Sequence, residues 1–169
     1  MSIALHTPIG WLKISGEDGF VTEIKYIADG TGCDNISSPV IEQARKQLCQ
    51  YFDGTRTQFD LPLKITASEF GQKVLTQLMQ VPYGTTVTYG QLAEMCGHPG
   101  AARAVGSAVR KNPFVVVVPC HRVVPSTGGI GNYSAGGSAN KDWLLTFEMQ
   151  NCPCNSLFGN PILSAMFGF

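Results

Sequence analysis

The chain has 169 residues, 44% hydrophobic and 14% charged, and its twelve basic side chains balance twelve acidic ones. That composition excludes a disordered polypeptide, and the length suffices for an apolar core without disulfide staples. The first ten residues lack the basic start and long apolar run of a secretory signal, and the longest apolar stretches break at Pro119 or at glycines, so the expected place is the cytoplasm (the nucleus in a eukaryote), with no membrane partner and free thiols.

In chain order, Ser2 to Thr7, Trp11 to Ser15 and Val21 to Ile27 cluster or alternate apolar residues around two turn sequences, which predicts a three-stranded antiparallel meander. After a polar loop, Ser38-Pro39 opens a helix whose Val40, Ala44, Leu48, Tyr51 and Phe52 share one face, and Gly54 ends it. Phe59 to Leu63 reads as a further short strand. Residues 1–62 thus form a small α/β unit, and no ligand-type cluster is visible in it.

Thr66-Ala67-Ser68-Glu69 reads as a capping box for an amphipathic helix carrying Phe70, Val74, Leu75, Leu78 and Met79. Thr88-Tyr89-Gly90-Gln91 is a second box, opening a short helix through Cys96. A Gly97-His98-Pro99-Gly100 turn follows, then a helix over 101–111 rich in alanine, glycine and serine. Two short helices around a tight glycine turn, the second bearing Arg103, Arg110 and Lys111, fit a DNA-binding helix-turn-helix. An αα-hairpin buried in a core uses small residues for the same reason, and pattern alone leaves both open.

Val115 to Val118 is a run of four β-branched residues, the signature of a short buried strand, and Pro119 ends it because proline cannot donate to a ladder. Cys120, His121 and Arg122 then follow at the expected strand mouth. A thiol, an imidazole and a guanidinium there suit a nucleophile, although neighbours in an extended strand face opposite ways, so a Cys-His couple needs a turn after Pro119 or a bridging water. Residues 95–141 hold Arg103, Arg110, Lys111, Arg122 and Lys141 with no acid, whereas residues 1–94 hold ten acids against seven bases. That asymmetry predicts an anion-binding face in the second half.

From about Thr66 to Asn151 the chain resembles the O6-alkylguanine-DNA alkyltransferases, also called methylated-DNA–protein-cysteine methyltransferases. The resemblance rests on Pro-Cys-His-Arg-Val at 119–123, Ala-Arg-Ala-Val-Gly at 102–106 and Gly-Asn-Tyr-Ser at 131–134. Pro-Tyr-Gly at 82–84, Tyr89, Asn112-Pro113 and Trp143-Leu144-Leu145 with Glu148 extend it. It implies an α/β fold in which a small ribonuclease-H-like α/β domain, residues 1–62, precedes a mainly helical, winged-helix-like domain with the helix-turn-helix, residues 66–151. A tail, 152–169, holding Cys152 and Cys154, matches no part of the pattern, and their spacing is too short for a zinc knuckle.

The activity implied is direct reversal of DNA damage, with a monomer taking the alkyl group of O6-alkylguanine, and less readily of O4-alkylthymine, onto its own cysteine, once and irreversibly. Neither metal nor cofactor is implied, and the partner is double-stranded DNA bearing the lesion. By motif position the acceptor is Cys120, with His121 its base through a water, Glu148 the carboxylate orienting the imidazole, and Asn112 a hinge tying the recognition helix to the Cys120 segment. Arg103 matches a finger that fills the gap left by the flipped base, and Tyr89 a residue crowding the 3′ phosphate. Tyr133 and Ser134 match the pocket wall, Val123 offers a backbone carbonyl to the exocyclic amine, and Ala102 and Arg110 face DNA. Two departures concern the pocket: Val115 stands where some members carry proline, and the stretch from Tyr133 to Lys141 is about one residue longer than common. The alternatives are a non-reactive protein that binds alkylated DNA, against which Cys120 itself counts, and a helix-turn-helix regulator, which leaves Pro-Cys-His-Arg unexplained.

Overall fold

The computed structural model describes residues 1–153. Strands β1 (Ser2–Thr7), β2 (Gly10–Glu17) and β3 (Phe20–Ile27) form the expected antiparallel meander. Its register opposes Leu5 to Leu12 and Ile14 to Ile24, so one face collects the apolar side chains. Asp18 and Gly19 both take positive φ, 51° and 80°, the mirror-image turn whose twist matches its strands. Helix α1 (Pro39–Phe52) begins on a proline whose missing N–H costs nothing there, and it buries Val40, Ile41, Ala44, Leu48 and Tyr51.

Helix α2 (Glu69–Leu78) is capped by Ser68, whose hydroxyl accepts from the Gly71 N–H, not by Thr66 as the sequence pattern suggests. Ser68 outcompetes Thr66 because it stands directly before the first helical residue, where a side-chain oxygen reaches an orphan amide. The predicted strand over 59–63 shrinks to one parallel bridge, Leu63 to Val21. Pro62 can accept but not donate, so the ladder cannot extend through it. Phe114 makes a similar bridge to Ile24, and these two contacts cover the free edge of β3.

Short strand β4 (Val87–Thr88) leads into helix α3 (Tyr89–Met95), and Thr88 and Gln91 make the reciprocal capping box read from the sequence. After the glycine turn, helix α4 (Ala102–Arg110) packs on α2 and α3 through Val105 and Val109. β4 pairs in parallel with β5 (Val123–Val124), and helix α5 (Gly137–Asn151) follows. The fold is α/β: a meander with its helix, then a mainly helical region containing the helix-turn-helix, all around one continuous apolar cluster. Cys154 and the rest of the predicted tail lie outside the described residues.

The run Val115–Val118 is not a strand. It is a buried turn in which Val118 N–H donates to Phe114 O at 2.9 Å and Val116 takes φ of 71°. A β-branched residue rarely enters that region, and holding one there costs about 1–3 kcal/mol. Asn112 supports the turn from inside: its Oδ1 accepts from Phe114 N–H at 2.9 Å, and its Nδ2 donates to Val118 O at 2.8 Å and to Phe114 O at 3.3 Å. Asn112→Ala should strip the buried Phe114 N–H of its partner, at about 1–3 kcal/mol, while Val118 O and Phe114 O each keep a backbone donor. Chemical denaturation of the variant should show at least that loss.

Candidate active site

Pro119, at φ −80° and ψ 63°, centres an inverse γ-turn that the Cys120 N–H closes onto Val118 O at 2.8 Å. Cys120–Arg122 then form one turn of 3-10 helix. This double turn is the reversal after Pro119 that the sequence called for. It leaves Cys120 4% exposed and seals His121 completely.

A single carboxylate organises the group. Glu148, on α5 and fully buried, receives His121 Nε2 at 2.7 Å and Tyr51 Oη at 2.7 Å on Oε1. The Arg122 guanidinium adds Nη2 to Oε1 and Nε to Oε2, both at 2.9 Å, and the Gly84 N–H reaches Oε2 at 3.3 Å. Arg122 also donates to Val81 O and lies over the Tyr83 ring. Burial alone would push the Glu148 carboxyl up, but His121 and Arg122 reverse this and hold it well below the usual carboxylate range.

An ionised carboxylate can only accept, so His121 Nε2 must carry the proton facing it. Burial lowers the His121 pKa from its usual 6.5, outweighing the pull of Glu148. The imidazole is therefore neutral at neutral pH, and its Nδ1, buried with no protein partner, is left with a free lone pair. Burial likewise pushes the Cys120 thiol up, while Asn112 and the Lys141 ammonium act in the opposite sense. A thiol that does not ionise readily by itself, beside an oriented neutral imidazole, is a nucleophile arranged to lose its proton to a base during reaction.

Cys120 opens onto a cleft of about 1010 Å³ between α4 and the segment 125–134. Tyr89, Ala102, Arg103, Arg110, Tyr133 and Ser134 line it too, so the structure gathers these expected residues around the sulfur. Burial raises the pKa of both tyrosines, well above the ordinary value for Tyr133, whose buried hydroxyl faces Cys120. His121, Glu148 and Asn112 stand behind the cleft wall, not on it. Val123 is also absent from the lining, and its carbonyl accepts from Lys141 Nζ at 2.6 Å.

Two of the five cations credited to an anion-binding face are interior. Arg122 is spent on Glu148, and Lys141, 1% exposed, has its pKa brought down to about 8 by burial. Arg103, Arg110 and Lys111 remain exposed on or just after α4. Tyr51 is the partner of Glu148 that the sequence hid. It occupies an ordinary core position of α1, in the stretch read as free of site residues, and only the folded chain brings it to Glu148. Among the described residues no group of three or more His, Cys, Asp or Glu could hold a metal ion, and no helix is long and apolar enough to cross a membrane.

Residues 69–150 match the family model described as 6-O-methylguanine DNA methyltransferase, DNA binding domain. A methylated-DNA–protein-cysteine methyltransferase of Mycolicibacterium paratuberculosis (strain ATCC BAA-968 / K-10) is 40% identical over 154 residues, covering 88% of this chain and 92% of that protein. The protein of the same name from Homo sapiens is 37% identical over 162 residues, covering 85% and 78%. Among solved structures, Mycobacterium tuberculosis OGT in complex with DNA superposes with a TM-score of 0.78 at 36% identity, covering 90% of this chain and 95% of that one. The O6-methylguanine-DNA methyltransferase of Pyrococcus kodakaraensis strain KOD1 superposes at 0.67 with 29% identity, covering 88% and 99%.

Proposed function

The chain belongs to the methylated-DNA–protein-cysteine methyltransferase family, and from that premise we propose that it repairs O6-alkylguanine in DNA by one irreversible transfer of the alkyl group to Cys120. The observation that carries this assignment is the sulfur lining the cleft, next in the chain to an imidazole whose Nε2 is fixed on Glu148 and whose Nδ1 has no protein partner.

Cys120 gives its proton to His121 Nδ1, through one water, as its sulfur attacks the alkyl carbon. The S–C bond forms while the C–O6 bond breaks, and the guanine oxygen leaves with the electron pair. Ser134 donates toward that oxygen, the guanine anion takes one proton at N1 from water, and the imidazolium gives the proton from Cys120 back to water, so the proton count balances. Arg122 keeps Glu148 ionised, so the imidazolium formed on His121 meets a negative charge where its own positive charge appears. No step regenerates the thiol, because a thioether carbon has no good leaving group. Each molecule therefore acts once, which distinguishes this chain from a regulator or from a protein that only binds lesions.

In-line attack on an O6 substituent has no room inside the base stack, so the nucleotide must flip into the cleft at a cost of a few kcal/mol. The cleft beside α4 accepts it, with Arg103 exposed at the helix start to fill the gap and Tyr89 and Tyr133 flanking the base. Val123 O contributes to the exocyclic amine with the lone pair that Lys141 leaves free. Residues 1–62 and 66–151 act as the supporting α/β domain and the DNA-binding acceptor domain, and the protein works as a monomer in the compartment that holds its DNA.

Intact-protein mass after incubation with an O6-methylguanine duplex tests the assignment. One added methylene equivalent, about 14 Da, on the peptide holding Cys120 and saturating at about one per chain is the expected result. Binding without a mass shift would move the chain to the non-reactive class.

Arg103→Ala should slow transfer from duplex DNA about 10- to 100-fold, because the unfilled gap favours return of the base. Transfer from the free base O6-benzylguanine, which needs no flipping, should stay within about twofold. Parallel rate measurements on both substrates separate a finger from a general binding defect.

The pH profile follows from His121. Its lowered pKa keeps it a proton acceptor at neutrality, so the transfer rate should be level near pH 7 and decline only below the usual imidazole value of 6.5, as Nδ1 takes a proton. Single-turnover rates between pH 5 and 8 check the position of that decline.

A further inference from the structure

The pocket wall Tyr133–Ser134 hangs between two carbonyls held by neighbouring residues in the first turn of α5. Lys141 Nζ reaches Asn132 O at 3.4 Å on one side, and Asn140 Nδ2 reaches Ala135 O at 3.0 Å on the other. The second hydrogen of the Asn140 amide goes elsewhere: Nδ2 also donates to Ile9 O at 2.8 Å, 131 residues away in the β1–β2 turn. That turn is a firm anchor, since Ile9 is buried and the hydroxyl of Thr7 closes the turn onto Gly10 O at 2.7 Å. Gly136 permits the close approach. A Cβ there would stand 2.0 Å from Asn140 Nδ2 and 3.2 Å from the Tyr26 ring, so any other residue would drive the amide off the loop.

We propose that Asn140 is a specificity-determining positioning residue: by tying the alkyl-pocket wall to the N-terminal sheet, it limits the size of the alkyl group that Cys120 accepts. This deepens the transfer reading above and rests on it. A benzyl group needs more room beside Cys120 than a methyl group, and Tyr133 and Ser134 are the cleft wall that bounds that room. Retreat of that wall carries Ala135 with it, and Ala135 cannot move outward while the Asn140 amide holds it against a strand turn.

The test compares the parent chain with Asn140→Ala and with Asn140→Asp, which keeps the shape and removes both donors. Rates of adduct formation at Cys120 are read by intact mass, with duplexes bearing O6-methylguanine and O6-benzylguanine. The benzyl-to-methyl ratio should rise at least about fivefold in both variants, the change that release of one net hydrogen bond supports. Two variants guard against misfolding of either, and a ratio of rates is insensitive to the fraction of active protein. A ratio that is unchanged or lower overturns the role of Asn140. A parent chain that gains no methyl overturns the transfer reading instead, and this one with it.

Discussion

Cys120→Ala should take up no alkyl group at all, while its affinity for a duplex containing O6-methylguanine stays within about twofold of the parent. Among the described residues lining the cleft Cys120 supplies the only thiol, so the loss is of the bond itself, not of a rate factor. The fold should tolerate the change. Cys120 packs as a small, nearly buried side chain, and removing one sulfur costs about 1 kcal/mol by the scale of small core truncations. Intact mass and fluorescence anisotropy on the same oligonucleotide give both readings. Any adduct in the variant would point to a second acceptor, and a lost affinity would make the thiol part of lesion binding.

The second large effect is expected at Glu148. In Glu148→Gln the shape is kept, but the amide nitrogen takes the place of either Oε1, which receives His121 Nε2, Tyr51 Oη and Arg122 Nη2, or Oε2, which receives Arg122 Nε and the Gly84 N–H. Worse, the Arg122 charge stays buried with no counter-charge. Breaking a buried pair from one side costs about 3–5 kcal/mol, and denaturant titration at pH 7 should show that loss. The sign of its pH dependence follows from the carboxyl. Its pKa in the folded chain lies well below the unfolded value of about 4.3, so its contribution is complete above that value and fades as the pH falls through it. The stability gap between parent and variant should therefore narrow below about pH 4. Transfer should fall about 10²- to 10⁴-fold even in folded protein, because nothing then fixes His121 with Nδ1 as the acceptor.

The meander, both cleft-side helices and the cleft-lining Cys120 were legible in the sequence because each has a local cause. Alternation makes the strands, Thr88 and Gln91 make the box that starts α3, and the motifs around Cys120 and Tyr133 carry the resemblance. Val115–Val118 misleads for a physical reason. An apolar run says that a segment is buried, and a buried turn and a buried strand bury the same side chains. The element that decides is Asn112, whose amide replaces the ladder partners a strand would need. Arg122 and Lys141 mislead in the opposite way. Their charge suggests a surface, and only the packing of α5 against the 3-10 turn and β5 reveals the carboxylate and carbonyls that accept them. Tyr51 has no local signal, since what makes it functional is a partner 97 positions along the chain.

That partner is shared by groups far apart in the sequence, 97, 64 and 27 positions from it. Glu148 draws its contacts from α1, from the bend after α2, from the 3-10 turn and from the last described helix, so its environment exists only when all four are docked. A chain still emerging from synthesis, or one with its final helix undocked, has a cysteine but no fixed imidazole and no buried counter-charge. For a protein consumed by a single reaction this works as quality control. On the proposed mechanism, the nucleophile has its oriented base only once the elements around Glu148 are docked.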